Sequence, residues 1–86
     1  MYKIIYSSQA QRDAKKADKS GIKNNIQKII EILQNNPYQS PPPFEKLLGD
    51  LSGAYSRRIN MQHRLVYQIY EEEKIVKIIR MWTHYE

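Results

Sequence analysis

Four side chains in the second half of the chain have the types needed for acid–base cleavage of a phosphodiester: Glu45, Arg64, His84 and Tyr85. In RNA the 2′-hydroxyl is an internal nucleophile, so strand cleavage needs no metal ion, cofactor or covalent enzyme intermediate. The reaction needs a base to take the 2′ proton, an acid to protonate the departing 5′ oxygen, and cations to hold the phosphate charge. Glu45, His84 and Arg64 supply these three types.

Each candidate also has a structural interpretation. Arg57 and Arg58 could bind phosphate, or they could be surface ion-pair partners worth only about 0–1 kcal/mol each. His63 falls in a predicted hairpin turn and is either structural or a minor RNA contact. Glu45 could instead be a solvated or capping carboxylate, and the histidine and aromatic residues of the terminus could simply anchor it.

Length and composition limit the class of protein. The 86 residues predict a single domain over 1–86, and the absence of cysteine excludes a disulfide framework, a thiolate metal site and a thiol nucleophile. Fourteen Lys and Arg residues against nine Asp and Glu give a net charge of +5, which favours a polyanionic partner such as nucleic acid. No signal peptide and no apolar run long enough to span a bilayer are visible, so we expect a soluble cytoplasmic protein without a membrane partner.

The elements that must position these residues follow from the hydrophobic periodicity. A first strand is predicted at residues 2–6, followed by a helix that begins at Ser7 or Ser8 and ends near Gly21. Isoleucines and a leucine at helical spacing predict a second helix over residues 22–33, closed by Asn35, Asn36 and Pro37. After an irregular link, alternating segments predict antiparallel strands over residues 54–59, 64–70 and 75–82.

This order of elements is typical of an α+β fold in which two N-terminal helices pack on one face of a mainly antiparallel twisted sheet. The other face would be open to solvent or a ligand. Leu65, Tyr67 and Ile69 form the more apolar set on their strand, which assigns Arg64 to the open face. The alternation does not separate Arg57 from Arg58, but at least one of them must point to the open side.

The candidate site residues lie in sequence segments that resemble those of a known protein family. The stretch LSGAYSRRINMQHRLVYQI, preceded by PFEKL and followed at the end by THYE, is similar to the Txe/YoeB family of toxins within the RelE-like superfamily. The similarity begins at KIIYSSQAQRD and covers essentially the whole chain. Its most specific part is LSG-x-x-SRRI-x-x-x-HRLVY combined with a terminal His-Tyr.

The resemblance implies the toxin of a type II toxin–antitoxin system, acting as a ribosome-dependent mRNA endonuclease that cuts in the A site by 2′-hydroxyl attack. It also implies the compact sheet with two helices on one side. By position, Glu45 matches the general base, His84 the general acid and Arg64 the arginine that stabilises the transition state. Arg58 matches a phosphate-binding arginine, and Tyr85 matches the C-terminal tyrosine that completes the site.

Three further residues are predicted RNA or phosphate contacts: Arg57, His63 and Lys46. Lys46 is included because Leu48 stands where many relatives have a lysine, so Lys46 either substitutes for it or one phosphate contact is missing. The chain also continues past the tyrosine to Glu86, a carboxylate that could raise the pKa of the neighbouring histidine or project into solvent.

The resemblance also implies partners. These are a cognate YefM/Axe-like antitoxin with an acidic C-terminal segment, and the ribosome with its mRNA. A homodimer and a toxin–antitoxin hetero-oligomer are both compatible with this pattern. Two other functions remain open: a ParE-like toxin of the same fold that binds gyrase, and a non-catalytic RNA-binding module.

Overall fold

A computed structural model of the chain describes residues 1–51 and 53–82. The elements in this range are β1 (Lys3–Tyr6), α1 (Ser8–Ser20), α2 (Lys23–Asn35), β2 (Glu45–Lys46), β3 (Ala54–Arg58), β4 (Arg64–Tyr70) and β5 (Ile75–Arg80), with a short 3₁₀ helix at Gly49–Leu51 before β3. Neither of the two described α-helices has the length and apolar character needed to cross a membrane.

The strands form one sheet in the order β1-β5-β4-β3-β2. The β2–β3, β3–β4 and β4–β5 pairs are antiparallel, whereas the edge strand β1 lies parallel to its neighbour β5. The predicted α+β fold with two helices on one face of a mainly antiparallel sheet is confirmed. The sequence did not indicate the parallel pair, and it did not indicate β2, which falls in the stretch predicted to be irregular.

Helix α1 begins and ends where the capping residues indicate. The Ser7 side chain accepts a hydrogen bond from the Ala10 N–H at 3.0 Å and donates one to the Ile79 carbonyl of β5 at 2.7 Å. At the other end, Gly21 has a φ of +83°, a left-handed conformation that glycine adopts without steric cost. The N-terminal cap therefore also ties the helix to the sheet.

The core lies between the helices and one face of the sheet. Small residues of α1, Ala10 and Ala17, allow close approach, while α2 contributes larger side chains. The fully buried members of this core, at 0–2% exposure, are Ala10, Ala17, Leu33, Leu65, Tyr67, Val76, Ile78 and Met81. Leu65 and Tyr67 occupy the face that the alternation of β4 assigned to the core, so this prediction is confirmed.

The opposite face of the sheet is not uniformly open. Ala54, Ser56 and Val66 lie on it, and their exposures are only 1%, 1% and 0%. The expectation of an open face is therefore wrong for the middle of the sheet. Exposed positions on this face, Glu45 and Arg58, lie toward one end of the strands.

The turn between β4 and β5 is held by a cluster of polar side chains. The Glu71 carboxylate accepts hydrogen bonds from the hydroxyls of Tyr2 at 2.7 Å and Tyr38 at 2.9 Å, and it pairs with Lys74. Donation by Lys74, Tyr2 and Tyr38 lowers the pKa of Glu71 to about 2. The cluster joins the N-terminal strand and the segment after α2 to the same turn.

Candidate active site

A cleft opens at the end of the sheet where β2, the end of β3 and the start of β4 meet. It has a volume of about 600 Å³ and is lined by Pro42, Pro43, Phe44, Glu45, Ser56, Arg58, Ile59, Asn60, Met61 and Arg64. Glu45, Arg58 and Arg64 are its ionisable residues among those described. The cleft therefore combines one carboxylate with two guanidinium groups.

Strand register brings Glu45 to Arg64. Glu45 of β2 pairs with Ser56 of β3, and the Arg64 side chain reaches the same point from β4. Arg64 Nη1 lies 3.7 Å from Glu45 Oε1 and donates to Ser56 Oγ at 3.4 Å. Because a single loose ion pair leaves the carboxylate with spare acceptor positions, Glu45 can take a proton from a ligand in the cleft.

The two arginines of the cleft face each other across β3 and β4. Arg58 and Arg64 are direct partners in the strand register, and Arg58 is exposed while the Arg64 side chain is 20% exposed. Like charges in directly opposed positions of a sheet repel, and an anion bound between them would relieve this repulsion. The arrangement suits a phosphate group.

Two polar residues of the cleft were not predicted from the sequence. Ser56 accepts the Arg64 hydrogen bond, and its shared parity with Arg58 on β3 is the signal that could have placed it on this face. Asn60 closes the β3–β4 turn, where its Oδ1 accepts the N–H groups of Gln62 at 2.8 Å and His63 at 2.7 Å. This turn fixes the separation of the two arginines.

Lys46, a predicted phosphate contact, does not line the cleft. Successive residues of a strand point to opposite faces, and Lys46 follows Glu45 directly in β2. It pairs with Tyr55 and lines a separate concavity with Leu47 and Leu48. The structure therefore does not bring Lys46 to the Glu45–Arg64 pair, and Leu48 is 86% exposed beside it.

Arg57 is not available to a phosphate, so its prediction as a phosphate contact is wrong. Its exposure is 1%, and its guanidinium donates to the carbonyl oxygens of Pro37, Gln39 and Pro42. Nε donates to the Tyr67 hydroxyl at 2.9 Å, and burial raises the pKa of Tyr67 so that this hydroxyl stays protonated. The choice that the sequence left open is settled, because Arg58 faces the cleft and Arg57 faces the other side.

His63 takes the structural role that was one of its two interpretations. It is 8% exposed, and its ring stacks on Trp82 with centroids 3.9 Å apart and planes 21° apart. So little exposed surface does not suit an RNA contact, and the prediction of one is not supported. The contact joins the β3–β4 turn to the segment that follows β5.

The end of β5 is fixed from the helix side by Asp13 of α1. This carboxylate, at 0% exposure, accepts Arg80 Nε at 2.8 Å and the Met81 N–H at 3.0 Å. Burial alone would raise the pKa of Asp13, but hydrogen bonds from Arg80, Met81 and Gln9 lower it below 3.8 overall. The predicted catalytic residues His84 and Tyr85 lie outside the described residues, as does Glu86.

The described residues do not form a metal-binding group. Within residues 1–51 and 53–82, no cluster of 3 or more His, Asp or Glu side chains could hold a metal ion.

Sequence comparison identifies the relatives of the chain. A family model described as the YoeB-like toxin of bacterial type II toxin–antitoxin systems matches residues 6–85. Toxin YoeB of Escherichia coli O6:H1 is 33% identical over 81 residues, which cover 91% of this chain and 95% of that protein.

Solved structures show the same fold. A YoeB–YefM complex from Staphylococcus aureus contains a chain with a TM-score of 0.82 and 32% identity, covering 99% of both chains. A YoeB dimer from the same organism gives a TM-score of 0.81 and 31% identity, with 98% of each chain covered. The resemblance to the Txe/YoeB family is thus confirmed, and the chain belongs to the YoeB-like toxins of bacterial type II toxin–antitoxin systems.

Proposed function

We propose that this chain is a ribosome-dependent mRNA endonuclease that cleaves mRNA in the ribosomal A site and thereby inhibits translation. The observation that carries the proposal is the separation of 3.7 Å between Glu45 Oε1 and Arg64 Nη1, in a cleft that also holds Arg58. This geometry puts a proton acceptor beside the cations that would bind a scissile phosphate. Membership of a toxin family adds support.

The proposed reaction is an internal transesterification. Glu45 takes the proton of the 2′-hydroxyl, and the 2′ oxygen attacks the phosphorus while the bond to the 5′ oxygen breaks. Arg64 and Arg58 stabilise the charge that develops on the phosphoryl oxygens. His84 protonates the leaving 5′ oxygen and Tyr85 completes the site, so the products are a 2′,3′-cyclic phosphate and a 5′-hydroxyl.

The assignment of the acid concerns the sequence that follows β5. His84 follows Trp82 by two residues in the sequence, and Trp82 stacks on His63, the residue directly before Arg64. His84 is assigned the role of the acid because its position in the sequence matches the general acid of the Txe/YoeB family.

The proposed partners follow from the relatives and from the charge. The YoeB of Staphylococcus aureus is solved in complex with YefM and also as a dimer. By analogy, this chain would be inhibited by a YefM/Axe-like antitoxin whose acidic C-terminal segment binds it, in a toxin–antitoxin hetero-oligomer. A net charge of +5 would speed the encounter with that segment and, after its release, with ribosomal RNA.

Cleavage on programmed ribosomes tests the proposal. Primer extension on a bound reporter mRNA should show a strand break inside the A-site codon with the unmodified protein. Glu45→Gln and His84→Ala should each lower the single-turnover rate by on the order of 10²–10⁴, the range for loss of one base or acid. Glu72→Gln, at an exposed position of the β4–β5 turn, is the matched control and should cleave at the normal rate.

Two results would contradict the proposal. Normal cleavage by both single variants would remove the assigned roles. Intact mRNA with the unmodified protein, together with inhibition of DNA gyrase, would instead favour a ParE-like function.

A further inference from the structure

Arg57 makes an unusual set of contacts for a buried charge. Its Nη1 donates to the Pro42 carbonyl at 2.6 Å, and its Nη2 donates to the carbonyls of Pro37 at 3.0 Å and Gln39 at 2.8 Å. Nε donates to the Tyr67 hydroxyl at 2.9 Å. Among the described residues no carboxylate pairs with Arg57, so backbone carbonyls, the Tyr67 hydroxyl and neighbouring aromatic rings compensate its charge.

All three carbonyls belong to the segment of residues 36–44, which leads from the end of α2 directly to Glu45. This segment contains Pro37, Pro41, Pro42 and Pro43, and proline has no N–H to donate to a neighbouring strand or turn. Its conformation therefore cannot be fixed by backbone hydrogen bonding alone. The Arg57 guanidinium supplies the missing donors.

The same guanidinium also contacts the residue before Glu45. The Arg57 Cζ lies 4.8 Å from the centroid of the Phe44 ring, which in turn packs edge-on against Tyr55 with centroids 5.6 Å apart. Arg57 thus contacts the segment at its start, middle and end, and the last contact is adjacent to the proposed base.

We propose that Arg57 is a positioning residue that sets the Glu45 carboxylate at its distance from Arg64 by holding the segment of residues 36–44 from the opposite face of the sheet. The inference rests on the proposed function of Glu45 as the base. It assigns to the first arginine of the SRRI segment a role different from that of the second, which faces the cleft. Arg57 does not contact the substrate.

Lysine cannot replace arginine in this role. A guanidinium is planar and carries five N–H donors in a fixed fork, which allows one side chain to bind four acceptors in different directions. An ammonium has three donors on one atom and cannot reach the Pro37, Gln39 and Pro42 carbonyls together. Arg57→Lys therefore keeps the positive charge but loses the arrangement of N–H donors that binds these carbonyls.

The test is a double-mutant cycle between Arg57→Lys and Glu45→Gln, measured as single-turnover cleavage on programmed ribosomes. Arg57→Lys should lower the rate about 10- to 100-fold because a small misplacement of a catalytic group is costly, while affinity for the ribosome stays within about twofold. In the Glu45→Gln background the same change should have little further effect on the rate. The glutamine cannot act as a base, so displacing it removes no further catalysis. Arg12→Lys, exposed on α1, is the matched control and should change neither value.

A second, less disruptive variant keeps the proposal testable if Arg57→Lys does not fold. Tyr67→Phe removes only the acceptor of Nε and keeps the ring, so it should lower the rate less, again only when Glu45 is present. Hydrogen exchange of the Gln39 N–H, which donates to the Asn36 carbonyl, should quicken in both variants if the segment loosens.

The outcomes separate the two proposals. An equal loss of rate in the unmodified and the Glu45→Gln backgrounds, or a normal rate for both Arg57→Lys and Tyr67→Phe, would overturn the positioning role. A normal rate for Glu45→Gln alone would overturn the assignment of the base instead.

Discussion

The charges of the cleft do not neutralise one another. Arg58 and Arg64 are opposed in the strand register, and Glu45 reaches one of them at 3.7 Å through a single contact rather than through a two-pronged pair. Such an arrangement costs stability, because repulsion between the arginines is only partly offset. A bound phosphate would add negative charge between the two arginines, so the cleft suits an anionic ligand.

Comparison of Arg58 with Lys46 tests this interpretation at single residues. Arg58 lines the cleft, whereas Lys46 points away from Glu45. We expect Arg58→Ala to lower cleavage about 10- to 100-fold, the equivalent of one charge-assisted hydrogen bond to phosphate, and Lys46→Ala to change it about twofold or less. The measurement is single-turnover cleavage at matched salt. A loss with Lys46→Ala as large as that with Arg58→Ala would mean that the phosphate path runs along the other side of β2.

The adjacent arginines also show where alternation in the sequence stops being informative. A period of two decides the face of β4 because Leu65 and Tyr67 are apolar and Arg64 is charged. On β3 each face receives one arginine, so the pattern alone cannot distinguish Arg57 from Arg58. The deciding factor is the set of carbonyl oxygens from residues 37–42, which are distant in sequence and satisfy a buried guanidinium.

At the level of elements, Asp13 joins α1 to the end of β5. Its buried carboxylate is bound by Arg80 Nε and by the Met81 N–H. Asp13→Asn should lower the free energy of unfolding by roughly 2–3 kcal/mol, since it weakens charged hydrogen bonds at a buried position. Chemical denaturation at neutral pH measures this change. Asp18→Asn, exposed on the same helix, is the control and should change it by less than about 0.5 kcal/mol.

The stabilisation by Asp13 should depend on pH with a defined sign. The folded pKa of Asp13 lies below the ordinary value of 3.8, so the folded state binds fewer protons than the unfolded state as the pH falls. The difference in stability between the unmodified protein and Asp13→Asn should be constant above about pH 5 and should shrink as the pH falls below 3.8. A difference that stays constant down to the acid transition would show that the charge of Asp13 does not matter.

Helices and strands were predicted well where the hydrophobic periodicity and the capping or turn residues indicated the same bounds. The two helices and the three later strands were found close to their observed bounds, because each has a repeating apolar pattern and a turn or cap at its ends. β2 was missed because two residues, Glu45 and Lys46, cannot show a period. The parallel pairing of β1 with β5 was missed because it depends on how the helices return the chain across the sheet.

For the whole molecule, the net charge of +5 acts on association more than on the chemical step. Asp13 and Arg80 contribute little to it, since they form an ion pair in which the two charges cancel. The exposed basic residues of α1, which are Arg12, Lys15, Lys16 and Lys19, contribute instead to the long-range field.

Salt should therefore separate binding from catalysis. Raising monovalent salt from about 50 to about 200 mM should lower the association rate with programmed ribosomes steeply, because counterions screen the attraction and compete for phosphate. The single-turnover rate at saturating ribosomes should change little, since the roles proposed for Glu45 and Arg64 operate over a contact of 3.7 Å, which salt screens weakly. Arg12→Glu lowers the net charge from +5 to +3 (5 − 2) without touching the cleft, so it should slow association and flatten the salt dependence while leaving the saturated rate unchanged. An association rate that is independent of salt would show that apolar contacts, rather than the overall charge, bring this toxin to its target.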